Sequence, residues 1–295
     1  MKIKILFILL CLFNAHSVTQ TYAQTKKALL IGISDYGNIK EDPNMWTNIS
    51  GANDLMLLKP LLTQQGFNVT TLENNNATHS AIIKELNRLA KKSKKGDLIY
   101  LHFSMHGQPF EDLNGDEDDG WDEALIPVDA KKKYIRDIYE GENHLLDDTL
   151  EEYFNKIRFK IGEKGQLYVV LDACHSGTSS RGDNDNIRGI RDGFTQSGKE
   201  YIPNRSRETN DYFDIKTLAG QSPITLMEAC RSYQQNREIY DKNADTWYGS
   251  LSYYVAKSLL LNKIDHTDLW IKYVKNNMDN DKYLRRQNMV IEYSR

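Results

Sequence analysis

The sequence predicts an α/β domain in which a mostly parallel central sheet is flanked by helices. Three observations predict it. Short apolar runs of the kind that buried parallel strands show begin at residue 28 and end at His106-Gly107 and at Cys174. The segments between these runs carry apolar residues at helical spacing. A chain of 295 residues, 40% hydrophobic and 27% charged, supplies enough apolar surface for one such core, and no internal repeat or linker divides it.

The elements follow in order. Lys2 and Lys4 precede the apolar stretch 5–13, and polar residues then lead to Ala23, the pattern of a secretory signal over 1–23. The apolar stretch is shorter than the roughly 20 residues of a spanning helix, so the expectation is an exported protein, periplasmic or extracellular, with a retained anchor as the alternative. The domain then runs 24–295. Residues 28–33 read as a strand, 53–65 as a helix, 66–72 as a strand and 81–91 as a helix with Ile82, Ile83, Leu86 and Leu89 on one face. The strand 97–107 follows, then a helix over 147–161 with Leu150, Phe154 and Ile157 inward, then the strand 167–174. Residues 179–210 are rich in Arg, Asp, Gly, Ser and Asn and predict a long exposed loop. A strand at 222–230, helices at 250–261 and 269–278 and a strand at 289–293 complete the alternation.

Net charge is −3, which implies neither nucleic acid nor an acidic surface as partner, and no membrane contact once the leader is gone. The leader takes Cys11 with it, leaving Cys174 and Cys230 either as a disulfide or as two thiols. Ligands of open parallel sheets bind beyond the carboxyl ends of the strands, where His106 and Cys174 both stand. A thiol beside an imidazole is the minimum equipment of a cysteine hydrolase: the imidazole deprotonates the sulfur and later protonates the leaving amine. The backbone N–H groups of Gly107 and Cys174 are candidate oxyanion donors, and the chemistry requires no cofactor. His175 alternates to the opposite strand face, and His102 lies about two residues deeper than His106, some 6–7 Å by strand rise, so both read as structural.

His102-Phe-Ser-Met-His-Gly107 and Asp172-Ala-Cys-His-Ser-Gly177 are similar to the paired motifs of the caspase-like cysteine peptidases. The metacaspase branch, with His-Tyr-Ser-Gly-His-Gly and Asp-x-Cys-His-Ser-Gly, is closest. Residues 27–36, Ser50-Gly-Ala-Asn-Asp54 and 119–129 also resemble family segments in family order. The resemblance implies a caspase-like three-layer sandwich, with Cys174 as nucleophile and His106 as its partner. It also implies a substrate pocket lined by Asp54, Ser104 and Asp172. Two carboxylates there favour peptide or protein substrates with Arg or Lys before the scissile bond. For Asp54 the other reading is a helix N-terminal carboxylate, and for Asp172 a residue that orients the active-site loop. A caspase-fold protein that binds without cutting is the alternative function. Met105 departs from the family glycine, and the segment after Cys230 lacks the acidic residues common there; Cys230 reads as a packed thiol.

Residues 112–123 partly fit an EF-hand loop, but Glu117 stands where that loop needs glycine. The family's calcium ligands map instead onto Asp122, Asp147 and Asp148, with Arg181 in place of a fourth acid and Asp183 or Asp185 as substitutes. Calcium activation and a solvated acidic loop are the two readings of this set. The spacing from Cys174 to Arg181 is one residue too long for a phosphatase loop, which removes that class. The loop arginines and lysine, Arg181, Arg188, Arg191, Lys199, Arg205 and Arg207, are candidate sites of self-processing.

Overall fold

The computed structural model describes residues 24–37, 39–174, 187–190, 192–203 and 210–294. The leader, Arg181, Asp183, Asp185 and His175 lie outside the described residues, as do Arg191, Arg205 and Arg207.

The chain opens with β1 (Lys26–Gly32), α1 (Gly51–Gln64), β2 (Phe67–Glu73), α2 (His79–Lys92) and β3 (Leu98–Ser104). There the expected strand 97–107 breaks: Met105 turns the chain out of the central sheet, and His106 begins β4 (His106–Glu111). With β5 (Trp121–Ile126) and β6 (Leu145–Leu146), β4 forms an antiparallel side sheet. Next come α3 (Asp147–Ile161), β7 (Gln166–Asp172), β8 (Tyr212–Asp214) and β9 (Ile224–Glu228). A hairpin of β10 (Glu238–Asp241) and β11 (Thr246–Gly249) precedes α4 (Ser250–Leu261), α5 (Thr267–Asn280) and β12 (Val290–Tyr293).

Among the described residues the central sheet has seven strands in the order β2-β1-β3-β7-β9-β12-β8. The five strands from β2 to β9 are mutually parallel, and β12 runs antiparallel to β9. Strand side chains alternate between faces, and the two cores follow that alternation. Leu29, Ile31, Ile99, Leu101 and Val169 meet α2 and α3 on one face. Ala28, Leu30, Tyr100, Tyr168 and Val170 meet α1, α4 and α5 on the other. The result is the helix–sheet–helix sandwich that the sequence predicts.

This sandwich positions two helix N-termini at the carboxyl ends of the strands. Gly51 at the start of α1 packs so closely on the backbone of Ile33 and Ser104 that a Cβ there would overlap both. That approach carries Asp54, one turn in, over the end of β3.

Candidate active site at the ends of β3 and β7

Strands β3 and β7 pair in parallel with Ser104 opposite Asp172. Cys174 and His106 each follow two residues after this pair, Cys174 just beyond β7 and His106 at the start of β4. Cys174 is fully buried and donates its S–H to the carbonyl of Gln234 at 2.8 Å. The His106 ring is held between Tyr36 and Trp46, with centroids 5.0 and 4.9 Å away. Its Nε2 meets the Thr47 carbonyl at 2.8 Å, an acceptor that assigns the proton to Nε2 and leaves a lone pair on Nδ1. That Nδ1 is buried and has no hydrogen-bond partner. Burial pushes the imidazole down to about 3; the Thr47 carbonyl opposes this, and the nearby charges of Arg188 and Lys132 reinforce it. His106 is therefore neutral here, with its basic nitrogen unengaged.

Beside this pair lies a pocket of three carboxylates, all buried, and it is filled by the guanidinium of Arg188. Arg188 Nη1 lies 2.8 Å from Asp54 Oδ2 and 3.4 Å from Asp172 Oδ1, and donates to Ser104 Oγ at 2.6 Å. On its other edge, Nε and Nη2 each stand 3.0 Å from Glu238 Oε1. Asp54, Ser104 and Asp172 thus come together as the sequence expects. Burial alone would raise the pKa of Asp172. Arg188, the amide of Asn236 and the N–H and hydroxyl of Ser252 outweigh it and hold the carboxyl below the usual range. Ser252 sits in the first turn of α4, so Asp172 also caps that helix with its charge. Asp54, with less support, is pushed up to about 6 by burial against the pull of Arg188.

A shell of hydrogen bonds fixes this geometry. His102 is a satisfied core histidine: Nδ1 contacts Tyr100 Oη at 3.1 Å and Nε2 contacts Ser252 Oγ at 2.9 Å. Gln287 binds Asn236, Ser250 and the Ala229 carbonyl. Cys230 is buried beside the site, 3.6 Å from the Gln234 carbonyl. Contact with Cys174 and burial push its thiol well above the usual value, which suits a packed thiol rather than a nucleophile. Both cysteines are free thiols. Gly107 is the second residue of β4, opposite Leu125.

The expected exposed loop is corrected at two points. Arg188 is fully buried in the pocket and Phe194 is buried against Phe110 and Tyr139, because the carboxylates and an aromatic cleft each offer these side chains more than solvent does. Glu238, the third carboxylate, was not legible as a pocket residue: it arrives from the β10–β11 hairpin, which no apolar run announces. A turn-rich segment, Asp241 to Asp245, was the available signal for that hairpin.

The acidic loop forms a second cluster. Asp112, Asp116 and Asp122 bring oxygens within 4.8 Å of one another, so the structure adds Asp112 and Asp116 to the expected Asp122. Burial and the neighbouring acids push Asp122 up to about 6 and Asp147 up to about 7. Asp147 Oδ1 is buried without a partner, while Asp148 accepts from Asn114. Hard oxygen donors, mutual repulsion and an orphaned oxygen suit a divalent cation such as calcium.

The family description "metacaspase, peptidase C14 domain" matches residues 26–181, more than half of the chain and inclusive of Asp54, Ser104, His106, Asp172 and Cys174. The chain belongs to the metacaspase family. Metacaspase-1 of Plasmodium falciparum is 32% identical over 160 residues, covering 52% of this chain and 24% of the relative. Metacaspase-1A of Aspergillus oryzae is 32% identical over 167 residues, covering 52% and 35%. The chain thus spans about a quarter to a third of the length of the curated relatives it matches. A crystal structure of a Geobacter sulfurreducens protein superposes with a TM-score of 0.60 over 92% of this chain and 93% of that one, at 21% identity, a likeness of fold. Arg188 and Glu238 both lie beyond the metacaspase match.

Proposed function

We propose that this metacaspase domain is an exported cysteine endopeptidase that cuts after Arg, and less readily after Lys, through Cys174 and His106. The observation that carries the reading is the guanidinium already seated among Asp54, Asp172 and Glu238, beside the thiol. In the reaction His106 Nδ1 takes the Cys174 proton and the thiolate attacks the carbonyl carbon of the basic residue. The N–H groups of Gly107 and Cys174 stabilise the oxyanion. His106 then delivers its proton to the departing amine, and water releases the acyl group. Glu238 favours Arg over Lys, because it binds the guanidinium edge that a single ammonium does not present.

Calcium is proposed as an activator held by Asp122 and Asp147 with Asp112, Asp116 or Asp148. When bound it supplies positive charge that lets these carboxylates ionise together. The side sheet connects the two regions, since Asp122 lies on β5, whose Ile126 pairs with His106. Self-processing within residues 179–210 belongs to the same reading. Export rests on the leader pattern at 1–23. Among the described residues no helix is long and apolar enough to cross a membrane.

Fluorogenic peptides with Arg, Lys or Asp before the scissile bond, assayed with calcium and with chelator, test the proposal. Turnover in the order Arg, Lys and no Asp is expected. Absence of turnover in every arm would favour a caspase-fold binding protein, and cleavage after Asp would overturn the pocket assignment.

A further inference from the structure

Cys230 is a buried thiol that the proposed reaction does not use, and it stands against the nucleophile. Strand β9 pairs with β7 in parallel, with Glu228 opposite Leu171, and the Ala229 N–H donates to the Leu171 carbonyl at 3.1 Å, so the pairing carries on past the end of β9. Continued by two residues, that register sets Cys230 opposite Ala173 and one step from Cys174. Strand spacing and rise then separate the two Cα atoms by roughly 6 Å. A disulfide bridges about 4.4–6.8 Å. The side chains converge as well. Cys174 donates to the Gln234 carbonyl at 2.8 Å, and Cys230 Sγ lies 3.6 Å from the same oxygen and 3.9 Å from the Ala173 carbonyl. Cys174 thus rests on the Cys230 side of the site, while His106 Nδ1 has no hydrogen-bond partner.

We infer that Cys230 is the resolving thiol of the nucleophile: oxidation of Cys174 ends in a reversible Cys174–Cys230 disulfide that switches the site off. The inference goes beyond the peptidase reading and takes from it only the thiolate that His106 makes. A protein exported by its leader works where oxidants are present and the cytosolic thiol reductants are not. Any path that admits a peptide carbonyl to the sulfur also admits hydrogen peroxide, the oxidant of this step. The Cys174 thiolate attacks one peroxide oxygen; the O–O bond breaks, hydroxide leaves, and the sulfur, two electrons poorer, becomes a sulfenic acid. Cys230 then gives its proton to the sulfenic oxygen as its sulfur attacks Cys174. The S–O bond breaks, an S–S bond forms and water leaves. Toward a substrate Cys230 is no nucleophile, because contact with Cys174 and burial hold it protonated. Oxidation of Cys174 removes the first of these restraints and makes the neighbouring sulfur an electrophile within reach. The disulfide keeps Cys174 off His106 and blocks further oxidation to sulfinic acid, which is irreversible. Two molecules of a small thiol reverse it, leaving as their own disulfide and returning both sulfurs to S–H.

The experiment treats the full chain with hydrogen peroxide and then with dithiothreitol. It follows intact mass, alkylated peptide maps and Arg-peptide turnover together in wild type, Cys230→Ser, Cys230→Ala and Cys174→Ala. Wild type is expected to lose two hydrogen atoms, to yield a linked peptide joining Cys174 to Cys230, and to lose turnover by about tenfold or more, with dithiothreitol restoring its starting rate. In Cys230→Ser and Cys230→Ala, each compared with its own starting rate, peroxide adds two oxygens to Cys174 as sulfinic acid, and dithiothreitol restores less than about a tenth of the turnover. Two replacements, one polar and one apolar, keep a packing defect in either from deciding the result. Cys174→Ala forms no link. Recovery of both Cys230 variants to the wild-type extent, a wild-type link through Cys11, or no link at all overturns the inference. A link that forms in a chain turning over no peptide supports it and overturns the peptidase reading alone, since mass and peptide map need no substrate.

Discussion

Two clusters of carboxylates lie at opposite ends of the β4–β5 side sheet, and they have met the same electrostatic problem in different ways. At the sheet end, Asp54, Asp172 and Glu238 surround a buried guanidinium, and Asp172 is held below its ordinary pKa. At the acidic loop, Asp112, Asp116 and Asp122 converge with Asp147 and Asp148 of α3 near enough to repel them, and Asp122 and Asp147 are pushed up to about 6 and about 7. Burying like charges is tolerated only with a partner. The pocket has one supplied by the chain, and the loop has the chemistry to take one from solution. The difference separates a site shaped for a side chain from one shaped for an ion.

Removing a charge from each cluster should therefore act with opposite sign. Asp172→Asn breaks the buried ion pair, and a loss of about 3–5 kcal/mol in stability is expected by denaturant unfolding. Arg-peptide kcat/KM should fall on the order of 100-fold or more. A variant as stable as wild type would remove Asp172 from the ion-pair network. Asp147→Asn relieves repulsion instead. Discounted for its partial exposure, it should stabilise the metal-free protein by roughly 1–2 kcal/mol at neutral pH and abolish the response to calcium. Destabilisation, or an unchanged calcium response, would break the comparison. Within the pocket, Glu238→Gln should reduce the Arg over Lys preference about tenfold, measured as a ratio of kcat/KM, because one charge-assisted contact becomes neutral. An unchanged ratio would confine Glu238 to a structural role.

The pH dependence of thermal stability sharpens the contrast further. Unfolded aspartates titrate near 4. Asp122 and Asp147, raised in the folded protein, contribute stability below about pH 4 that is lost as pH climbs through about 6 and about 7. Asp54, raised to about 6, adds to that limb. Asp172, lowered, contributes stability above about pH 4 that is lost on acidification. Calcium should flatten the part of the neutral limb that Asp122 and Asp147 contribute and leave the Asp54 part and the acid limb in place; a uniform shift of both limbs would contradict separate clusters.

Much of this arrangement was legible in the sequence where periodicity or a short motif carries it. Helices α3 and α4 span the residues their apolar spacing marks, and β7 stops at Asp172, two residues short of the expected end at Cys174. Cys174, His106, Asp54, Ser104 and Asp172 were legible because each sits in a contiguous motif. Glu238 and the burial of Arg188 were not, because both depend on a polar hairpin and a polar loop meeting across the sheet end, a contact no local pattern encodes. Met105 ending β3 was equally hidden: the apolar run continues through it, and only its packing in the core reveals the turn into β4.

The most direct test of the central claim is covalent trapping of the calcium-loaded protein by a peptidyl-arginine ketone carrying a thiol-reactive leaving group, mapped by mass spectrometry. One adduct per chain is expected, on Cys174, competed by Arg peptides and not formed by the aspartyl analogue. Labelling of Cys230, or equal labelling by the aspartyl reagent, would contradict it.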